Sequence, residues 1–217
     1  MNDLFDAAAL QEQLRHVYWV GGASGAGKST IARYIAAQHG LRVYATDDVM
    51  ADHARRSPHE HSPLLHSFIN MDIDERWVNR SPKTMFETFH WFQGEGFKFI
   101  VEDLLRLPRN DGIVADGFRL LPRLVKPLLS DASRAVWLLP TPEFRRTVIE
   151  SRGGSAWGFL GRTSDPETAL RNLLERDQMF TARLREETAS LGLQAIEVDT
   201  TISKDDLARK VTAAFRL

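Results

Sequence analysis

A glycine-rich loop between a predicted strand and a predicted helix constrains the fold of this chain more than any other feature of its sequence. The apolar run at residues 16–20 predicts a buried strand, and residues 30–37 have the apolar spacing of a helix. The loop and its first helical residues match the pattern G-x-x-x-x-G-K-[ST], which in this context predicts phosphate binding. They are Gly22, Ala23, Ser24, Gly25, Ala26, Gly27, Lys28, Ser29 and Thr30.

The residue types in this glycine-rich loop (residues 22–30) suit phosphate chemistry. Glycines at three positions permit backbone dihedrals that a Cβ would forbid, so successive N–H groups can point at phosphate oxygens. We expect Lys28 to reach the β- and γ-phosphates and Ser29 to bind Mg²⁺. The alternative is a glycine-rich turn that starts a helix and binds nothing, but the lysine, the hydroxyl and the flanking elements all favour ATP with Mg²⁺.

Length, charge and the distribution of apolar residues narrow the classes of protein that fit this sequence. The 217 residues suffice for one α/β domain, and without a break in composition we expect a single domain over residues 1–217. Twenty-eight basic and 29 acidic residues give a net charge of -1, which argues against nucleic acid as a partner. Residues 1–6 lack the features of a signal peptide, and no long apolar run predicts a membrane span, so we expect a cytoplasmic protein. The oligomeric state stays open, with a homodimer as one option.

Strand and helix signals alternate along the chain, which predicts a parallel sheet. A helix-rich insertion follows the second strand, from about residue 49 to 108, and Ser81-Pro82 predicts the start of one of its helices. Further strands are expected at residues 41–46, 113–116, 135–139 and 195–199, and a closing helix at 201–217. A wide apolar face in the insertion, expected to belong to the core, comprises Met85, Phe86, Phe89, Phe92, Phe97, Phe99, Ile100 and Leu104.

Acidic residues stand where two of these strands end. Asp116 closes an apolar strand, which places it at the crevice where ligands bind parallel sheets and predicts a role in holding Mg²⁺; a simple turn residue is the alternative. Asp47 and Asp48 follow the second strand, and one of them is expected to orient the acceptor, with a slight preference for Asp48. The other could cap the next helix. Arg119 could bind an anionic acceptor or lie at the surface.

Six arginines mark the region between the last two strands, and glycines at 153, 154, 158 and 161 interrupt it. This pattern predicts a mobile lid over about residues 151–165 whose guanidinium groups close on the γ-phosphate. The alternative is a solvated helix, since Glu167, Arg171 and Glu175 have the spacing of ion pairs. The six are Arg145, Arg146, Arg152, Arg162, Arg171 and Arg176; of these, Arg152 and Arg162 are expected to be catalytic, and Arg145 and Arg176 to bind nucleotide.

Four histidines cluster in the insertion, near Asp52 and Glu60. A zinc site is one hypothesis, but the spacing matches no helical or finger-type ligand pattern. Solvated loop residues are therefore the favoured interpretation. The four are His53, His59, His61 and His66.

The order of elements resembles that of the P-loop small-molecule and nucleoside-monophosphate kinases, among them the adenylate, shikimate and chloramphenicol kinases. The glycine-rich loop matches theirs; Asp47-Asp48, Asp116-Gly117 and the arginine region occupy corresponding positions. The resemblance implies a three-layer sandwich with a five-stranded parallel sheet in the order 2-3-1-4-5. It also implies transfer of the γ-phosphoryl group of ATP to a hydroxyl or phosphate of a small-molecule acceptor.

The insertion departs from these kinases, because it is longer than in the shikimate type and lacks a clear nucleoside-monophosphate pattern. The lid lacks the regular Gly-Arg-Arg, although Ser151-Arg152 and Gly161-Arg162 could serve. The acceptor is therefore not identified. Two other functions remain: a nucleotide-dependent switch, for which no N-K-x-D motif is present, and a kinase of polynucleotide ends, which would need a basic groove.

Overall fold

Five strands form one parallel sheet at the centre of the fold. The computed structural model describes residues 7–109 and 111–217, so residues 1–6, on which the signal-peptide argument rests, lie outside it. The strand order is 2-3-1-4-5, and every neighbouring pair is parallel. The predicted α/β class and strand order are confirmed. The strands are β1 (Val17–Gly22), β2 (Arg42–Ala45), β3 (Ile113–Asp116), β4 (Ala135–Pro140) and β5 (Gln194–Val198).

Helices cover both faces of the sheet and fill the insertion between β2 and β3. They are α1 (Ala7–Leu14), α2 (Lys28–His39), α3 (Met50–Arg56), α4 (Pro63–Asn70), α5 (Ile73–Trp77), α6 (Pro82–Thr88), α7 (His90–Gln93), α8 (Phe97–Arg106), α9 (Pro122–Val125), α10 (Pro142–Glu150), α11 (Pro166–Ser190) and α12 (Lys204–Phe215). No helix in the described ranges is long and apolar enough to span a membrane.

Side chains along β1 point alternately to the two faces of the sheet, and this divides the core into two layers. Trp19 packs with Leu14 of α1 and Leu184 of α11, whereas Val20 packs with Ile31 of α2 and with α12 on the opposite face. Since successive side chains of a strand point to opposite faces, a sheet buried on both sides is apolar throughout its central strands. The result is a three-layer arrangement.

The strand register brings the candidate residues to one edge of the sheet. Asp116, the last residue of β3, is opposite Val20 of β1 and Ala45 of β2. The glycine-rich loop begins where β1 ends, and Asp47 follows β2. Because carboxyl ends of parallel strands share an edge, these three segments meet there.

The insertion is helical, as predicted, but the residues of its predicted apolar face are spread over several short helices. Ser81 caps α6 by accepting a hydrogen bond from the Thr84 amide, which confirms the predicted helix start. The aromatic residues that follow lie on α6, α7 and α8 and at their junctions, not on one helix. Gly94 and Gly96 have φ of 92° and 75°, left-handed values that separate α7 from α8.

Candidate functional site

The glycine-rich loop links β1 to α2 in a conformation that depends on its glycines. Gly25 and Gly27 have φ of 79° and 81°. Gly27 is the N-cap of α2, and it has no side chain that could occupy the first N–H groups of the helix. A Cβ at Gly25 would lie 2.8 Å from Nη1 of Arg145, so a side chain there would fill the space above the loop.

Lys28 is buried in this loop with its charge only partly compensated. Its Nζ donates to the Ala23 carbonyl at 2.7 Å. Burial lowers the pKa of Lys28 to about 8, while the nearby Asp47 and Asp116 act in the opposite direction. An ammonium group has three donors, so Lys28 can also bind an anion that enters the loop. Such an anion would stabilise the charged form.

Ser29 and Asp116 form a pair beneath the loop. Ser29 Oγ donates to Oδ2 of Asp116 at 2.6 Å. Asp116 is buried, and its Oδ1 has no hydrogen-bond partner among the described residues. Burial raises the pKa of Asp116, against the hydrogen bond from Ser29 and the charge of Lys28. A hydroxyl beside an incompletely satisfied carboxylate offers the oxygen ligands that Mg²⁺ prefers.

Two buried arginines share one carboxylate next to the loop. Arg145 donates to Oδ2 of Asp177 through Nε and Nη2, at 3.0 and 2.7 Å. Arg176 donates to Oδ1 through Nε and Nη2, at 3.2 and 2.7 Å. The group therefore carries one positive charge in excess. Nη1 of Arg145 has no hydrogen-bond partner in the described part of the chain and lies over Gly25.

A cavity of about 340 Å³ joins the glycine-rich loop to the insertion and the lid region. Asp47 and Arg152 add polar groups to its wall. The rest of the wall is largely aromatic, with ring side chains from several segments of the chain. These aromatic residues are Trp77, Phe89, Phe92, Phe118, Trp157 and Phe159.

The structure brings most of the predicted site residues to this cavity. Gly22, Ala23 and Ala26 shape the loop from behind, and Asp116 reaches the site through Ser29. Arg146 and Arg171 line a separate groove between α10 and α11. The predicted residues on the cavity wall are Ser24, Gly25, Gly27, Lys28, Ser29, Thr30, Asp47, Arg145, Arg152 and Arg176.

Two expected catalytic residues lie away from the wall. Asp48 is exposed and outside the cavity lining, so the geometry favours Asp47 over Asp48 as the acidic residue that faces an acceptor. Neither caps the following helix, because the N-cap of α3 is Val49. Arg162 is exposed in a 3-10 turn and also lies off the wall.

Arg119 belongs to a buried network behind the site, so the alternative of a surface position is wrong. It is 2% exposed and donates to the carbonyls of Thr46 and Gly96, at 3.4 and 3.3 Å. Its Nη2 lies 3.0 Å from Nδ1 of His53, whose Nε2 lies 2.7 Å from Oδ2 of Asp103. Arginine can only donate, so Nδ1 of His53 accepts that hydrogen bond and the Nε2–H donates one to the carboxylate of Asp103. This tautomer is neutral, and burial lowers the pKa of His53 accordingly.

The histidines of the insertion do not converge on one point. His53 is in the network just described, whereas the rings of His59 and His66 contact each other with centroids 5.1 Å apart. Within residues 7–109 and 111–217, no group of three or more His, Cys, Asp or Glu side chains could hold a metal ion.

Sequence reasoning missed Asp177 and the aromatic residues Trp157 and Phe159 in the segment predicted as a lid. Asp177 pairs with Arg145 across 32 positions of the sequence. One signal was present: Leu173, Phe180 and Leu184 make an apolar stripe along α11, and Asp177 lies on that stripe. A charged residue on a buried stripe requires a partner.

Comparisons with known proteins leave the family open. No known family model matches the chain, and no curated protein matches it. Among solved structures, the chain is similar to an uncharacterized protein from Eubacterium ventriosum ATCC 27560, with 13% identity and a TM-score of 0.47 over 93% of this chain and 98% of that one. What the site can do therefore follows from its own geometry.

Proposed function

We propose that this protein has the P-loop NTPase fold and is an ATP-dependent small-molecule kinase. The observation that carries the proposal is that the glycine-rich loop, Asp47 and three arginine side chains line one cavity. We assign Lys28, Ser29 and the unpaired Nη1 of Arg145 to a phosphate end of this cavity, and Asp47 to an acceptor end. Phosphoryl transfer depends mainly on positioning and on stabilisation of charge, and this arrangement supplies both.

The phosphate end would bind the triphosphate of ATP. Lys28 and the loop N–H groups would hold the β- and γ-phosphates, and Arg145 would add a donor from above. Ser29 and Asp116 would hold Mg²⁺, since the free Oδ1 of Asp116 is an oxygen acceptor without a partner. Mg²⁺ held there would neutralise negative charge on the phosphate oxygens.

At the acceptor end, Asp47 would orient a hydroxyl group and take its proton. The acceptor oxygen forms a bond to the γ-phosphorus, the bond between that phosphorus and the bridging oxygen of ADP breaks, and ADP leaves. Asp47 then releases the proton to solvent. Arg152 and Arg176 would stabilise the transferring group from the lid side, because both lie on the wall of the cavity.

The test measures MgATP binding, ADP release and acceptor mass across a panel of hydroxylated small molecules. We expect one acceptor or a related set to gain one phosphate. Lys28→Ala should lower turnover at least about 100-fold, because a phosphate contact made in the transition state is lost. Lys83→Ala, which removes an exposed lysine, is the matched control. ATP hydrolysis that no acceptor accelerates would instead indicate a switch, and absence of MgATP binding would reject both functions.

A further inference from the structure

The segment predicted as a lid (residues 151–165), which we call the lid segment, is packed against the insertion. Its Leu160 is fully buried in an apolar cluster that includes Trp77 of α5 and Leu173 of α11. The Phe159 ring stacks on the Trp77 ring, with centroids 4.4 Å apart and an interplanar angle of 30°. Separation would expose this apolar surface to water, which is unfavourable. The lid segment is therefore joined to α5 through its apolar side chains.

Hydrogen bonds add to this junction. Oδ1 of Asp74, on α5, accepts a hydrogen bond from the Ser164 amide at 2.8 Å, near the end of the lid segment. Asn172 of α11 donates through Nδ2 to the carbonyls of Trp77 and Val78, both at 3.1 Å. The helix α5 is therefore tied both to the lid segment and to α11.

The other end of the lid segment carries Arg152, which lies on the wall of the cavity. Its guanidinium is 5.3 Å from the centroid of the Trp157 ring, and the centroid of that ring is 6.1 Å from the centroid of the Phe159 ring. No ion pair to a described residue holds this guanidinium, so its position depends on the ring that it contacts. A chain of contacts thus runs from α5 through Phe159 and Trp157 to Arg152.

The backbone of the lid segment does little to hold Arg152 in place. Gly154 and Gly158 have φ of 58° and 55°, and no described atom beyond their chain neighbours lies within 4 Å of the position of a Cβ. Glycine loses more conformational freedom on ordering than any other residue. A segment of this kind needs contacts with another part of the fold, and α5 supplies them.

We infer that α5 of the insertion positions Arg152, with Asp74 and Trp77 as the positioning residues. Arg152 then acts on the γ-phosphate only while the lid segment is held on α5, and the lid segment and the insertion move as one unit. An arginine whose position is fixed before the ligand binds loses less side-chain freedom on binding. This inference rests on the proposed kinase function, in which Arg152 stabilises the transferring group.

The first experiment asks whether Asp74 holds the lid segment. Hydrogen exchange of the free protein is followed by mass spectrometry in peptides within residues 153–163, which exclude Ser164 itself. Asp74→Ala removes the acceptor of the Ser164 amide, and we expect exchange in these peptides to rise about fivefold, the factor that corresponds to one hydrogen bond. Asp74→Asn keeps an acceptor oxygen and should exchange like the unchanged protein. Equal exchange in Asp74→Ala and the unchanged protein overturns the inference.

The matched control for this experiment is Glu75→Ala. It removes an exposed carboxylate from the same helix, and we expect it to leave exchange in the lid segment unchanged. If Glu75→Ala raised exchange as much as Asp74→Ala, the effect would come from α5 in general and the inference would fail.

Nucleotide binding tests the link between the lid segment and Arg152. Calorimetric titration gives the dissociation constants of MgATP and MgADP, and their ratio isolates the contribution of the γ-phosphate. We expect Arg152→Ala to lower the preference for MgATP about tenfold and Asp74→Ala about threefold. Loss of the Asp74 charge alone would favour an anion, so the sign of the change separates positioning from charge.

A double variant completes the test. If Asp74 acts through Arg152, the variant with both Asp74→Ala and Arg152→Ala should have the same preference for MgATP as Arg152→Ala alone. Additive losses, about thirtyfold in total, or an unchanged preference in either single variant, overturn the inference. Asp74→Asn should restore the preference of the unchanged protein, because it keeps the acceptor oxygen.

The two measurements distinguish failure of this inference from failure of the kinase proposal. If the unchanged protein does not bind MgATP, the kinase proposal is rejected, and with it the action of Arg152 on a γ-phosphate. Hydrogen exchange still decides whether α5 holds the lid segment. If MgATP binds but Asp74→Ala changes neither exchange nor the preference for MgATP, only the positioning role is rejected.

Discussion

Two regions of this molecule bury arginine side chains, and they differ in whether these side chains line the cavity. Beside the glycine-rich loop, Arg145 and Arg176 share Asp177, and Arg145 keeps a donor atom without a partner in the described chain. Arg119 donates to two backbone carbonyls and to His53, and its Nε also has no partner in the described chain, but it lies outside the cavity lining. We call these the loop cluster and the back cluster.

The difference separates a binding surface from a support. An excess of positive charge beside a cavity is stabilised when an anion enters, so we expect the loop cluster to bind an anion. The back cluster does not line the cavity. It links Thr46, which precedes Asp47, to Gly96 in the insertion, and so it stabilises the site from behind.

Removal of the shared carboxylate tests the loop cluster most severely. Asp177→Ala leaves two buried guanidinium groups without their counter-charge, and we expect a loss of about 3–5 kcal/mol in the free energy of unfolding. MgATP should restore part of this loss, because the phosphates supply negative charge. Chemical denaturation with and without MgATP measures both, and Glu186→Ala, at an exposed position on the same helix, is the control. If MgATP did not recover any of the lost stability, the loop cluster would be a support for the fold, like the back cluster.

Arg119→Met tests the back cluster. It leaves Nδ1 of His53 and the Thr46 carbonyl without their donor, whereas the Gly96 carbonyl keeps the Phe99 amide, and we expect a loss of about 2–3 kcal/mol in stability. The dissociation constant of MgATP should stay within about twofold, because Arg119 lies outside the cavity lining. Calorimetric titration measures it, with the exposed Arg55→Met as control. A tenfold weaker affinity for MgATP would contradict the division into binding and support.

The charges of both clusters act on the pKa of His90. Burial lowers the pKa of His90 to about 3, and the charges of Arg119, Arg176 and Arg76 act in the same direction. Below pH 6.5 the unfolded chain therefore binds a proton that the folded chain does not, and stability falls by up to about 1.4 kcal/mol per pH unit. Between pH 6.5 and 5 we expect the titration of His90 to contribute about 1.6 kcal/mol to this loss of stability. Urea unfolding at both pH values measures this. The stability of His90→Phe should fall less between pH 6.5 and 5 than that of the unchanged protein, whereas the control His59→Phe, at an exposed position, should behave like the unchanged protein.

The smallest expected effect concerns Lys28, which lies in the glycine-rich loop next to the loop cluster. Its titration tests whether an anion binds there. In the free protein its pKa is lowered to about 8, whereas bound phosphates favour the protonated form. MgATP affinity should therefore be constant below pH 8 and fall up to about tenfold per pH unit above it. Calorimetry at pH 8 in two buffers with different ionisation enthalpies should detect proton uptake on binding. An affinity independent of pH between 7 and 9 would contradict this.

Residues close in sequence were predicted well, because their geometry is local. Ser29 and Asp116 come from different segments, yet both could be placed, since parallel strands end at one edge of the sheet and the loop starts there. The start of α6 at Ser81-Pro82 also follows from adjacent residues. In each case one motif or one packing rule determines the position.

The remaining parts of the site depend on contacts between distant segments. The apolar pattern of the insertion predicts that Phe89 and Phe92 are buried, but not that they line a cavity. Gly94 and Gly96 turn the chain between α7 and α8, and the apolar pattern alone does not show the direction that the chain takes after them. The preference between Asp47 and Asp48 likewise depends on the turn after β2.

The sequence by itself determined the α/β class and the glycine-rich loop, and with Asp116 the edge of the sheet where the candidate site lies. Only the tertiary structure decided that Asp177 balances two arginines, that Arg119 is buried, and that rings from four regions make one wall. The physical reason is that a backbone turn or a strand end is encoded by neighbouring residues. A charge pair or a cavity wall instead depends on which distant side chains the packing brings together.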